Sequence, residues 1–169
     1  WLDNKGLSII WTTFFSYIVL SALLLLVRPF LLLKILRSET LLLMGLAYGL
    51  TNICFNWAVT NGDVVRVVFL FYLMPIWAAI FAKIFLSEDL GLTGWLRIFI
   101  AFLGLMIVLN VFDQFSIKLQ INLYEVVAIL GGVFFALGNV FLRKANSFSS
   151  FDRSMSIFLG SCFVPFILL

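Results

Sequence analysis

The sequence predicts an all-α integral membrane protein, a bundle of six transmembrane helices, and two observations carry that reading. Apolar blocks of about 20 residues, the length a helix needs to cross hydrocarbon, follow one another along almost the whole chain. Charged residues make up 11% of its 169 positions, where a soluble domain carries roughly 25%, so the chain lacks the means to coat a surface facing water. Helices follow rather than a barrel, because backbone groups in lipid must be satisfied inside the segment and these blocks do not alternate apolar with polar.

The first span runs from about Leu7 to Val27 and the second from Thr40 to Thr60, both without a charge. The third, Val64 to Leu86, has Arg66 and Lys83 near its ends, and the fourth, Leu92 to Phe112, has Arg97 in its first turns. The fifth covers Leu123 to Leu142 and the sixth Phe151 to Leu169. Short connections carry the turn formers, Asn61 and Gly62 in one and Ser87, Glu88, Asp89 and Gly91 in the next, so neighbouring helices run antiparallel.

Orientation follows from the basic residues. Arg28, Lys34, Arg37, Lys83, Arg97, Arg143, Lys144 and Arg153 fall on one side; Lys5, Arg66 and Lys118 fall on the other. The first side is therefore expected in the cytoplasm and the Asn61 to Asp63 turn outside, in a multi-pass protein of a bacterial cytoplasmic membrane. The start, WLDNKGLSII, has too little positive charge to read as a signal peptide. The small net charge of +3 is scattered between apolar blocks, which excludes a nucleic-acid footprint; the lipid bilayer is the expected surrounding. Cys54 and Cys162 stand alone inside apolar segments and there is no histidine, so neither a metal nor any other cofactor is called for.

Polar and small residues pick out inward faces. Gly45, Gly49, Asn52 and Asn56 share one face of the second span, and Gly132, Ala136, Asn139 and Arg143 repeat the arrangement on the fifth. Glycine and alanine at four-residue spacing let backbones approach, and an asparagine amide in lipid needs a partner or water. These asparagines either bind helices to one another or line a polar cavity. Gly94, Ala101 and Gly104 form a similar small stripe on the fourth span, read as packing. Arg66 follows Asp63 at i+3; it either forms a local ion pair at the outer mouth or selects anionic solutes.

An enzyme is not expected: with no histidine, acid/base chemistry would rest on carboxylates, and all eight lie at span ends or connections. Pro75 stands in the middle of FLFYLMPIWAAIF, where it cannot donate to the carbonyl of Phe71 and should kink the helix. The freed carbonyl is tolerable only against protein or a wet cavity.

Residues 56–110, NWAVTNGDVVRVVFLFYLMPIWAAIFAKIFLSEDLGLTGWLRIFIAFLGLMIVLN, combine a helix ending in an alanine-containing turn, a helix with a central proline, an SEDL acidic turn and a closing helix with a mid-glycine. That order resembles the second half of an EamA repeat of the drug/metabolite transporter superfamily, and EVVAILGGVFFALGNVFLRKA resembles the opening helix of a second repeat. The resemblance implies a fragment of a ten-helix inverted-repeat transporter. Residues 1–112 would be a first repeat lacking its first helix, residues 123–169 the start of the second, and three helices would follow. It also implies a substrate path between the repeats lined by Tyr48, Asn52 and Asn56, by Tyr72 with Pro75, and by Asn139 from the second repeat.

Two functions of different class remain at this level. One is a secondary transporter for small organic solutes; the other is a non-transporting membrane module whose small-residue faces recruit another membrane protein, a homo-oligomer being compatible with either. The charge distribution makes one direct prediction: a topology reporter fused after Gly62 reads extracytoplasmic, and a cytoplasmic readout contradicts the orientation.

Overall fold

The computed structural model describes residues 9–89, 91–108 and 122–168, and every regular element among them is helical. In order they are α1 (Ile9–Val27), α2 (Leu31–Leu36), α3 (Glu39–Asn61), α4 (Val64–Phe71), α5 (Met74–Leu86), α6 (Gly91–Val108), α7 (Leu123–Lys144) and α8 (Ser150–Leu168), with a 3-10 turn at Ala145–Ser147. The expected starts at Leu7 and end at Phe112 lie outside the described residues. Three stretches, Glu39–Asn61, Val64–Leu86 and Leu123–Ser147, are long and apolar enough to cross a membrane; Trp11–Val27 and Gly91–Ile107 are shorter apolar helices.

Two local features depart from six plain spans. The chain leaves α1 through a turn at Pro29 and Phe30 and forms the additional short helix α2, whose Leu31 and Ile35 are buried against Leu41, Met44, Ala145 and Met155. The third span is two helices rather than one bent helix. Its hydrogen-bond ladder stops at Phe71, residues 72–73 form a turn, and Pro75 falls in the first turn of α5. A proline there loses nothing, because first-turn N–H groups have no partner inside their own helix.

Capping residues fix where the long helices begin and end. The Ser38 hydroxyl accepts the Leu41 N–H at 3.4 Å, and Asp63 Oδ1 accepts the Arg66 N–H at 3.0 Å. Asn122 and Glu125 form a reciprocal capping box at the start of α7. Ser87 adopts a left-handed conformation, φ 54°, that ends α5.

Helix α3 is the hub, packed along its length against α7 and α8, while α1 lies on α8 and both α4 and α5 lie on α7. Small residues make this possible. A Cβ on Gly45 would stand 2.5 Å from the Ser156 carbonyl oxygen, and one on Gly49 or Gly160 would collide with the backbone of the facing helix. On α7, a Cβ on Gly132 would stand 2.8 Å from the Phe71 carbonyl oxygen, so the carbonyl that Pro75 cannot satisfy faces protein. Ala136 is fully buried. Gly104 differs: among the described residues no atom lies within 4 Å of its Cβ position.

These contrasts predict opposite effects of one methyl group. Gly160→Ala should destabilise the fold by about 1–3 kcal/mol through overpacking. Gly104→Ala should be neutral or stabilising by up to about 1 kcal/mol through helix propensity. Thermal or denaturant unfolding of both variants in detergent checks the difference.

Candidate substrate-binding site

Four helices place polar side chains in one connected layer. The Tyr48 hydroxyl of α3 donates to Asn139 Oδ1 of α7 at 2.9 Å. Asn52 Nδ2 donates to Ser161 Oγ of α8 at 2.8 Å and to the Tyr48 carbonyl at 3.1 Å, and Asn52 Oδ1 accepts from the Tyr17 hydroxyl of α1 at 3.4 Å. One turn further along α3, Asn56 Nδ2 donates to Thr13 Oγ1 at 3.4 Å. A neutral layer of this kind can hold hydroxyl, amide or zwitterionic groups by hydrogen bonding.

The offset of Tyr48 from Gly49 decides its partner. The glycine face of α3 meets α8, and the neighbouring position is turned toward α7, where Gly138 leaves room for the phenol ring 3.0–3.2 Å from the Cβ position that glycine lacks. Phe135 packs edge-on against the same ring, 5.8 Å between centroids, and Phe71 continues the aromatic wall to Phe55 at 4.5 Å. The layer is therefore flanked on one side by aromatic surface.

Arg66 lies away from that layer, at the end of the bundle where α4 and α7 begin. Its Nε stands 3.0 Å from Glu125 Oε1, and both side chains are largely buried, 14% and 6% exposed. At the other end of α7, Arg143 pairs with Glu88 at 2.6 Å in a half-exposed contact, and Lys83 pairs with Asp89 at 3.0 Å in the open. Between these ends a cavity of about 320 Å³ reaches from Glu88, Asp89 and Arg143 to Pro75, with Ala78, Ala79 and Ala82 along its wall. Tyr72 faces elsewhere. It is half exposed and borders a small cavity against Ile98, Ala101 and Phe102 of α6.

The structure thus gathers Tyr48, Asn52 and Asn139 into one network, sets Asn56 beside it, and holds Arg66 and Tyr72 apart. Sequence reasoning missed Tyr17, Ser161 and Glu125. Ser161 had a signal, because Ser156 and Gly160 form a small-residue pair at i+4 directly before it; Asn122 with Glu125 showed the capping-box spacing. Tyr17 had one too, standing between Thr13 and Ser21 at four-residue spacing on one face of α1.

Residues 4–110 match the model of the EamA-like transporter family. The chain belongs to that family. The matched stretch contains α1 to α6, and with them Tyr17, Tyr48, Asn52, Asn56 and Arg66 of this EamA-like chain; Asn139 and Ser161 lie beyond it. No curated protein and no solved structure matches the sequence.

Coupling between the two halves of the layer is measurable. A double-mutant cycle of Tyr48→Phe and Asn139→Leu should give an interaction energy of about 0.6 kcal/mol and at most ~1.7 kcal/mol, the range for hydrogen bonds between membrane helices. Additive effects would mean that the 2.9 Å contact contributes nothing.

Proposed function

We propose that this EamA-like chain is part of a secondary transporter that moves small organic metabolites or drugs across a bacterial cytoplasmic membrane. Access alternates between two inverted repeats, with residues 1–112 in the first and 123–169 opening the second, six spans of a ten-helix fold. Asn61 and Gly62 face outward. The observation that carries the reading is the polar layer. Five hydrogen-bonding side chains from four helices, joined into one layer inside an apolar bundle, give a polar solute partners at a single depth.

Two further features support it. Tyr48 and Asn52 belong to the proposed first repeat, Asn139 and Ser161 to the second, so relative movement of the repeats would open the layer between them. The ends of the bundle also differ: the buried Arg66–Glu125 pair joins α4 to α7 at one, while a cavity leads from Glu88 and Arg143 toward Pro75 at the other. That asymmetry fits a conformation closed outside and approachable from the cytoplasm. In the cycle the Arg66–Glu125 pair separates when the outer side opens.

Flux separates this reading from a scaffold. Asn52→Leu in the full-length protein, reconstituted in vesicles, should lower transport about tenfold, equivalent to ~1.4 kcal/mol in the barrier, with normal insertion and thermal stability. Unchanged flux, or a stoichiometric protein partner with no solute transport, would favour the scaffold.

A further inference from the structure

We infer that the short helix α2 and the turns on either side of it form a binding site for the headgroup of an anionic phospholipid. The site rests on the membrane-embedded reading above, but it lies outside the polar layer and plays no part in substrate recognition.

The helix presents two different faces. Leu31 and Ile35 are 5% and 3% exposed and anchor it to the core. Phe30, Leu33 and Leu36 point away, 79%, 55% and 65% exposed, an apolar surface too large to leave to water at the end of α1. Lipid is the surrounding that covers it at no cost, which places α2 at the level where acyl chains meet headgroups.

Charge then selects the headgroup. Arg28 precedes the helix and Arg37 caps its end, so one guanidinium stands at each end of the apolar face. Neither has a carboxylate partner among the described residues; Arg28 lies 4.9 Å above the Phe151 ring and Arg37 has no charged contact. Lys34, between them, is already neutralised by Asp152 at 2.5 Å, and that carboxylate is held in turn by the Ser149 N–H. The uncompensated charge therefore belongs to the two arginines, whose planar fork suits a phosphate better than an ammonium does.

A space of suitable size lies beside them. A cavity of about 640 Å³ is bounded by Phe30, Leu33, Lys34, Arg37, Ser38 and Phe148. A second, of about 380 Å³, takes in Arg28 and the other side of Lys34. The Ser38 oxygen accepts the Leu41 N–H, which leaves its own proton free to donate into the first cavity. Phosphate oxygens on Arg37 and Ser38, glycerol along Lys34 and acyl chains over Leu33 and Leu36 fill both the polar and the apolar parts. A zwitterionic headgroup brings an additional cation to a place that already carries two, and is disfavoured.

The test compares lipids on the full-length protein in nanodiscs. Replacing part of the phosphatidylcholine by phosphatidylglycerol should raise the unfolding temperature by about 4 °C, and Arg28→Gln with Arg37→Gln should abolish that increment while leaving stability in pure phosphatidylcholine unchanged. Lys34 is left intact, because its loss would strand Asp152. Equal stability in both lipids, or an increment that survives the double substitution, overturns the site. So does inorganic phosphate added to phosphatidylcholine discs reproducing the whole increment, since the ligand would then be a soluble anion. Lipid dependence without flux in the reconstituted protein supports this site and removes the transporter reading; flux without lipid dependence does the reverse.

Discussion

Backbone contact between α3 and its neighbours is the constraint from which the other features follow. Hydrocarbon offers helices no hydrophobic reason to associate, so they pack where small residues let them approach closely and where polar groups find one another. Gly45 and Gly49 of α3 lie against Ser156 and Gly160 of α8 with no space for a single carbon between them. At that separation a short side chain one turn away reaches across, and Asn52 meets Ser161 at 2.8 Å. The asparagine layer is a consequence of the glycine contact, and a wider interhelical gap would leave the same amides unsatisfied in lipid.

The broken third span belongs to the same logic. Pro75 interrupts the ladder at little cost because a new helix starts there, and the Phe71 carbonyl it leaves lies against Gly132. The glycine on α7 thus serves the proline of a different span. The result is a bundle whose middle is held by neutral hydrogen bonds and close backbones, while among the described residues the ion pairs lie at its ends: Arg66 with Glu125 at one, Glu88 with Arg143 and Lys34 with Asp152 at the other. A neutral, hydrogen-bonded middle can rearrange without stranding a buried charge.

How much of this could be read from the residues depends on the range of the interaction concerned. The helical class, the approximate bounds of α3 and α7 and the start of α8 came from apolar length and turn-forming residues, which are properties of neighbouring positions. The two-helix form of the third span did not, since a proline marks a break without saying whether the chain bends or restarts. Helix α2 was hidden because six residues are too few for a periodic signal, and Leu33 and Leu36 look like a continuation of α1. In the candidate site, Asn52 and Asn139 were visible as polar residues in apolar runs, while Tyr48 owes its partner to an offset of one position that only packing resolves. A small stripe such as that of Gly104 specifies an approach only where a second helix makes it, and no described atom lies within 4 Å of its Cβ position.

The central claim is that the Tyr48–Asn139 layer is a wet, one-sided part of a transport path. Thiol accessibility of Asn139→Cys, in a background with Cys54 and Cys162 replaced by serine, addresses it directly. A membrane-impermeant reagent should label this position from the face that carries Glu88 and Arg143, and not from the face closed by Arg66 and Glu125. Absence of labelling from both faces of a correctly inserted protein would make the layer dry packing and contradict the account.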